Sequence, residues 1–221
     1  GLSRVVQRYL CMDSEIPTVS SFQRCRNETI GRKTLGKILE AGRRAPSPGR
    51  VQSAEFIVVE SDKRRKISEL AGDGRLEQAP TLVAVVVDRE RLERNLGSGA
   101  GRFAEGEAAV AVQNMRVAAE RHGISSLWVG GFDRGRVGKA LRVPEGREVA
   151  AVVGFAYTDD PVEHEPKFAM NDVVFYDFYD NQIASQFDGI EWEGLYDTAD
   201  TTGRVFRRWV DSARRRLRRI L

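Results

Sequence analysis

The chain has 221 residues, 41% of them hydrophobic, 30% charged and 8% aromatic, with a formal net charge of +3. A chain of this size buries roughly 70% of its unfolded surface in one or at most two domains, without disulfide or metal staples. Its longest apolar run, Val149 to Tyr157, spans nine residues, well short of the roughly 20 that a membrane-crossing helix needs. Cys11 and Cys25 have neither metal nor redox spacing, as expected of a reducing, cytoplasmic compartment. The positive charge is local: residues 203–221 carry eight arginines against Asp211, and the rest of the chain is net acidic. The body therefore gives no sign of a nucleic-acid partner.

In chain order, residues 2–10 suit a short helix and 11–28 a polar loop. A helix is expected over 32–44, where Leu35, Ile38, Leu39 and Gly42 recur at helical spacing. Pro46 and Pro48 end it, since proline removes a donor and restricts the residue before it. Glu55–Glu60 reads as a strand, and Ser61-Asp62 as the cap of a helix running to Leu70. Thr81–Asp88 is a nearly continuous β-branched run, the pattern of a strand covered on both faces. A helix over 89–96 and a mobile, glycine-rich stretch over 95–106 follow. The clearest helix, 104–122, carries Ala108, Ala111, Val112, Met115, Ala118, Ala119 and His122 on one stripe and stops at Gly123. Ser126–Val129 is extended, Asp133 caps a helix over 134–141, and Val149–Tyr157 and Asp172–Tyr179 read as strands. This alternation favours α/β or α+β.

The chemical motifs are mostly negative. Gly97-Ser98-Gly99-Ala100-Gly101 lacks the preceding strand that a dinucleotide fingerprint needs, and a flexible loop is the better reading. His122 and His164 have no metal-spaced partner, and His122 suits the last turn of its helix as a cation on the dipole. No Gly-x-Ser-x-Gly, phosphate-binding Walker loop or His-Glu-x-x-His occurs.

Three segments are harder to read as core alone. They are Ala45-Pro46-Ser47-Pro48-Gly49-Arg50-Val51-Gln52 before the Phe56-Ile57-Val58-Val59 strand, Gln113-Asn114 with His122-Gly123-Ile124-Ser125-Ser126-Leu127-Trp128-Val129-Gly130-Gly131-Phe132, and Pro166-Lys167-Phe168 before Val173-Val174-Phe175-Tyr176. In order and spacing these resemble the FMN-dependent nitroreductase family over roughly residues 30–180. The resemblance implies an α+β nitroreductase fold: a mostly antiparallel central sheet flanked by helices, in an intertwined homodimer. Residues 1–180 would form the FMN-binding domain and 181–221 a C-terminal extension.

The resemblance further implies FMN between two protomers, bound by Pro46, Ser47, Pro48, Arg50, Gln52, Trp128, Val129, Gly130, Gly131 and Lys167, with Ser47, Pro48 and Arg50 from one protomer and Gly130, Gly131 and Lys167 from the other. Rigid prolines line a flat ring at little ordering cost, glycines let backbone amides approach it, and Lys167 supplies a cation for the phosphate. NAD(P)H would reduce the flavin, and an electron-poor acceptor such as a nitroaromatic or quinone would reoxidise it. No catalytic side chain is then required. The sequence departs from the family where an Arg-Arg-Ser-x-Arg motif usually stands. It reads Ser20-Ser21-Phe22-Gln23-Arg24-Cys25-Arg26, so Arg24 and Arg26 are the arginines left to serve the flavin. Arg50 also replaces the family's asparagine. A redox-inactive flavin- or nucleotide-binding protein for storage or sensing is therefore an alternative. The basic amphipathic stretch 203–221 offers two further readings, packing on the protein's own dimer or contact with a membrane surface or anionic partner.

Overall fold

The computed structural model describes residues 19–162, 168, 170–179 and 181. The helix expected at 2–10, Lys167 and the basic stretch 203–221 lie outside them. In chain order the elements are β1 (Ser21–Phe22), α1 (Arg32–Arg43), β2 (Ala54–Val59), α2 (Lys63–Ala71), α3 (Arg75–Gln78), β3 (Thr81–Asp88), α4 (Arg89–Leu96), α5 (Ala104–Glu120), β4 (Ser125–Val129), α6 (Arg134–Leu141), β5 (Arg147–Ala156), β6 (Pro161–Val162) and α7 (Met170–Val173). The chain divides into two compact units, Gly1–His164 and Glu165–Leu221. No helix among the described residues is long and apolar enough to cross a membrane.

The first unit is built on β3, whose eight residues are all buried, as its unbroken apolar run requires. The four-stranded sheet has the order β2-β3-β5-β4, with every neighbouring pair antiparallel. Side chains alternate across a strand, so Val83, Val85 and Val87 face one cluster with Leu35 and Ile38 of α1 and Ala108, Val112 and Met115 of α5. Leu82, Ala84 and Val86 face the other with Ile67, Leu76 and Val137 of α2, α3 and α6. Where Val85 pairs with Ala151, Val86 already pairs with Val149. The extra residue, Ala150, is a bulge that turns both Ala150 and Ala151 toward the α1–α5 layer. The expected α+β class and antiparallel sheet are thus observed.

Helix α1 lies directly on α5 because Gly42 has no side chain: a Cβ there would stand 2.7 Å from Met115 Cγ and 3.2 Å from Phe56 Cζ. Asn114 Nδ2 donates to Ala41 O at 3.3 Å across the same contact. Helix α5 ends as expected, with Gly123 left-handed at φ +68° and Ile124 N–H returning to Ala119 O at 3.0 Å.

Several local expectations need correction. Asp62 does not cap α2 with its side chain; Lys63 N–H reaches the neighbouring Ser61 hydroxyl at 3.4 Å instead. The stretch 95–106 is not a loose loop, since Ala100–Phe103 forms a 3₁₀ turn with Ala100 and Gly101 buried. The short β1, which pairs with β6, falls inside the expected polar loop; two residues are too few for a visible pattern.

In the second unit, Asp172–Tyr179 is not a strand. Helix α7 is followed by a turn in which Asp177 takes φ +61°, a conformation aspartate tolerates. Phe175 and Tyr179 then stack 4.5 Å apart, and Tyr176 N–H donates to Asn181 O at 2.7 Å. Ring stacking and a turn stand where a strand was expected.

Candidate functional site

The proline-rich segment emerges from α1 and enters β2. Pro48–Arg50 is a 3₁₀ turn in which Gly49 and Arg50 both have positive φ, +54° and +62°. Arg50 N–H donates to Ser47 O and Val51 N–H to Pro48 O, so the turn closes on itself. Gly49 sits against Leu96 at the end of α4, whose Cδ2 would lie 2.5 Å from an added Cβ. Gln52 Nε2 bonds to Ala54 O at 3.2 Å.

The end of this segment is clamped by a group that the sequence reading did not single out. Glu107 of α5, only 4% exposed, accepts Ser53 N–H on both oxygens at 3.0 and 3.1 Å, the Ser53 hydroxyl at 2.5 Å and Ala54 N–H at 3.2 Å. Ser53 O accepts from Asp88 N–H at 3.1 Å, and Gln52 O from Arg91 Nη1 at 2.9 Å. A glutamate at helical spacing within the apolar stripe of α5 was the available signal.

Beside it, eight charged residues close two rings across one end of the sheet. Arg91 and Arg147 both meet Glu55, at 2.6 and 3.0 Å, and Asp88, at 3.3 and 3.4 Å. Arg89 and Arg134 both meet Glu105, at 2.5 and 2.6 Å, and Glu148, at 3.1 and 3.0 Å. Asp88, 3% exposed, also caps α4 through Arg91 N–H at 2.8 Å. The antiparallel register creates these rings by setting Asp88 opposite Arg147 and Val87 opposite Glu148. Burial pushes the Glu148 carboxyl up, but hydrogen bonds from Arg134 and Arg89 outweigh it and hold the group below its ordinary range.

The glycine-bearing segment leaves β4 at the same end of the sheet but on its other edge. Trp128 is 42% exposed, and Val129 packs partly into the α2–α6 layer. Gly130 is uncrowded, with Trp128 Nε1 at 3.8 Å and Ala150 O at 3.9 Å from an added Cβ, and Gly131 has nothing within 4 Å. Phe132 is buried and Asp133 caps α6 through Arg136 N–H at 3.0 Å. Between the two segments lie three strand spacings, about 14 Å, filled by the charged rings. One chain therefore presents the proline and glycine segments at one end of the sheet without bringing them together.

Arg24 and Arg26 join neither segment. Arg26 N–H bonds to Tyr157 O at 2.8 Å, and its guanidinium lies over the Tyr157 ring with Glu28 and Asp159 as ion-pair partners. Arg24 O accepts from Thr158 Oγ1 at 2.7 Å. Both belong to the far end of β5, away from Gly130 and Gln52. A polar cavity of about 320 Å³ lies there as well, lined by Ser20, Arg26, Glu120, Ser125 and Asp159 among others. Lys167 is outside the described residues.

The fold has solved counterparts. Among solved structures the chain resembles the NADPH:FMN oxidoreductase from Vibrio harveyi complexed with NAD⁺, with a TM-score of 0.67 at 19% identity over 84% of this chain and 82% of that one. It also resembles an FMN-dependent nitroreductase from Clostridium difficile, with a TM-score of 0.62 at 20% identity over 73% and 96%. The sequence model of the Nitroreductase family matches residues 23–74 and 68–157: the chain belongs to the nitroreductase family. A protein of Archaeoglobus fulgidus named as an NADH dehydrogenase/NAD(P)H nitroreductase is 32% identical over 137 residues, 59% of this chain and 76% of that one. An NADPH-dependent oxidoreductase of Staphylococcus epidermidis is 27% identical over 140 residues, 57% of this chain and 56% of that one. The family and its named members place the chain among the oxidoreductases.

Two outcomes follow from the local geometry. Replacing Arg50, left-handed at φ +62°, by Asn relieves the strain and raises the unfolding free energy by about 1 kcal/mol, measured by urea unfolding. The lowered Glu148 pKa adds stability that is fully present above the ordinary carboxylate range, about pH 4.3, and is lost as pH falls through the lower folded value. Melting temperatures taken from pH 7 to pH 2.5 drop through that acid window, and Glu148→Gln shows a smaller drop than the parent chain.

Proposed function

We propose that the chain is an FMN-dependent oxidoreductase working as a homodimer. In each site Pro46, Ser47, Pro48, Arg50 and Gln52 of one protomer face Trp128, Val129, Gly130 and Gly131 of the other. The observation that carries this reading is the placement of the two segments, at one end of the sheet but on opposite edges with ion pairs between. A second copy completes what one chain leaves open.

The residues fit a flat tricyclic ring. Gly130 and Gly131 leave their main chain accessible, and Trp128 offers an exposed indole. Ser126 N–H points away from β5 to Ser20 O, and strand alternation turns Trp128 N–H to the same outer edge. Pro46 and Pro48 make a stiff wall whose exit Glu107 holds in place. Arg50 has no ion-pair partner among the described residues, so its charge is available to an electron-rich ring or an anionic acceptor. Bound FMN would supply the redox chemistry, carrying a hydride from NADH or NADPH to an electron-poor acceptor such as a nitroaromatic or quinone. Lys167 would add a cation at the phosphate, a role that rests on the resemblance alone.

The dimer has its own support. Helix α5 and the turn before it are apolar on more than their inner face: Phe103 and Val110 are exposed on a stripe with Gly106 and Val117, at the spacing of one helix side. A stripe of this kind needs cover, and a second copy supplies it along with the missing half of the site. A redox-silent flavin carrier is the second reading, favoured by Ser20-Ser21 and Arg50 standing where relatives carry arginines and asparagine.

Purified protein titrated with FMN should turn yellow and quench flavin fluorescence, and anaerobic NADH or NADPH should bleach the complex. Colour that persists with both nicotinamides selects the carrier, and failure to bind FMN overturns both readings. Val110→Lys should shift the protein from dimer to monomer in sedimentation velocity and weaken FMN binding at least tenfold, roughly what one buried charge at an interface costs. A stable dimer with unchanged FMN affinity removes α5 from the interface.

A further inference from the structure

A phosphomonoester held in a protein is met by fixed cations, most effectively by a guanidinium. The described arginines differ in whether they are free for that role. Arg89, Arg91, Arg134 and Arg147 are each shared between two carboxylates in the rings. Arg26 is paired with Glu28 and Asp159, and Arg50 stands on the β2 edge. On the β4 side Ser20 is joined to that strand through Ser126 N–H, 3.0 Å from Ser20 O, and Arg26, which lines a cavity with Ser20, is already paired with carboxylates.

Arg116 stands there. It lies on α5, half-buried, and its Nε donates to Ser126 Oγ at 3.1 Å. Its Nη1 reaches Gln113 Oε1 at a long 3.5 Å. Among the described residues it has no carboxylate within ion-pair distance. Glu120, one turn further along α5, is engaged by Ser20, whose hydroxyl and N–H donate to Oε2 at 2.7 and 2.9 Å. Burial pushes the Arg116 pKa down, only partly offset by the charge of Glu120. The Arg116 charge is only partly met by Glu120, whose Oε2 is taken by Ser20, so a further anion beside the desolvated guanidinium is favourable. The fully buried Ser126 fixes one nitrogen of the fork and leaves the terminal pair weakly used.

The placement along β4 also suits a ligand. Ser126 and Trp128 lie on the same face of the strand, opposite to Leu127 and Val129, which join the α2–α6 layer. Ser126 is four residues, about 13 Å of extended chain, from Gly130. A ring at the glycines and a phosphate at Arg116 would be joined by a ribityl chain running along the strand.

We infer that Arg116 is the cationic seat of an anion subsite between α5 and β4, and that it takes the phosphate of the flavin nucleotide in place of arginines missing at Ser20-Ser21. The ligand assignment rests on the flavin reading above; the anion seat itself does not. The sequence reading passed over Arg116 because one arginine on a long helix resembles any solvated charge.

The test compares FMN with riboflavin, which lacks the phosphate, on the full chain freed of bound flavin. Arg116→Met should raise the FMN dissociation constant about ten- to a hundredfold, the range of a charge-assisted hydrogen-bond pair, and leave riboflavin within about twofold. Arg116→Lys should recover part of the loss. Unchanged FMN affinity, or equal losses for FMN and riboflavin in the Met variant, overturns the assignment. If the parent chain binds neither flavin, the flavin reading fails, and calorimetry with inorganic pyrophosphate judges the seat alone. Binding by the parent chain that Arg116→Met abolishes supports the seat, and absence of binding overturns it. Should the Met variant not fold, the Lys variant and Ser126→Ala, which frees Nε without removing charge, are read by the same FMN-to-riboflavin ratio.

Discussion

Glu107 reaches from the first turn of α5 to the entry of β2 and satisfies the Ser53 and Ala54 amides and the Ser53 hydroxyl together. A buried carboxylate is tolerated only when donors surround it, and here the donors belong to the chain's turn into the sheet. Arg50, left-handed beside Gly49, is strained, and strain persists only where the surroundings over-determine the backbone. The clamp provides that surrounding, with Arg91 and Asp88 holding the adjacent carbonyls. The edge that presents Pro46 to Gln52 thus takes its position from α5, not from its own residues.

The charged rings work on the same end of the sheet in another way. Eight side chains of alternating sign neutralise one another across β2, β3, β5 and the starts of α4, α5 and α6, so this end carries little net field despite its arginines. Outside the rings, Arg50 beside β2 has no ion-pair partner among the described residues, and Arg116 lies further along β4, on Ser126. A neutral centre suits a ligand that meets an edge from outside, in the company of a second protomer, better than one lying across the middle.

The sheet strands and long helices were legible because their periodicity is strong: the unbroken run of β3, the stripe of α5 and the proline stop after α1 all appear as read. The failures were local or long-range. Asp172–Tyr179 has the composition of a strand, but composition does not supply a partner strand, and ring stacking with a left-handed Asp177 settled its shape. Asp62 looks like a cap as much as Ser61 does, and only backbone geometry chose between them. Of the candidate site residues, the proline and glycine segments were named through collinear spacing and lie at one end of the sheet, whereas Arg26 is engaged by Tyr157 and Asp159 and Arg24 bonds through its carbonyl to Thr158.

By itself the sequence determined the fold class, the order of the core elements and the resemblance to nitroreductases, because hydrophobic periodicity and short motifs are properties of neighbours along the chain. The tertiary structure decided which charges are spent and which are free. Glu107, Arg116 and the two rings join residues tens of positions apart through strand register and helix packing, and the energy of a charge depends on what surrounds it in space. No spacing rule read along one chain contains that information.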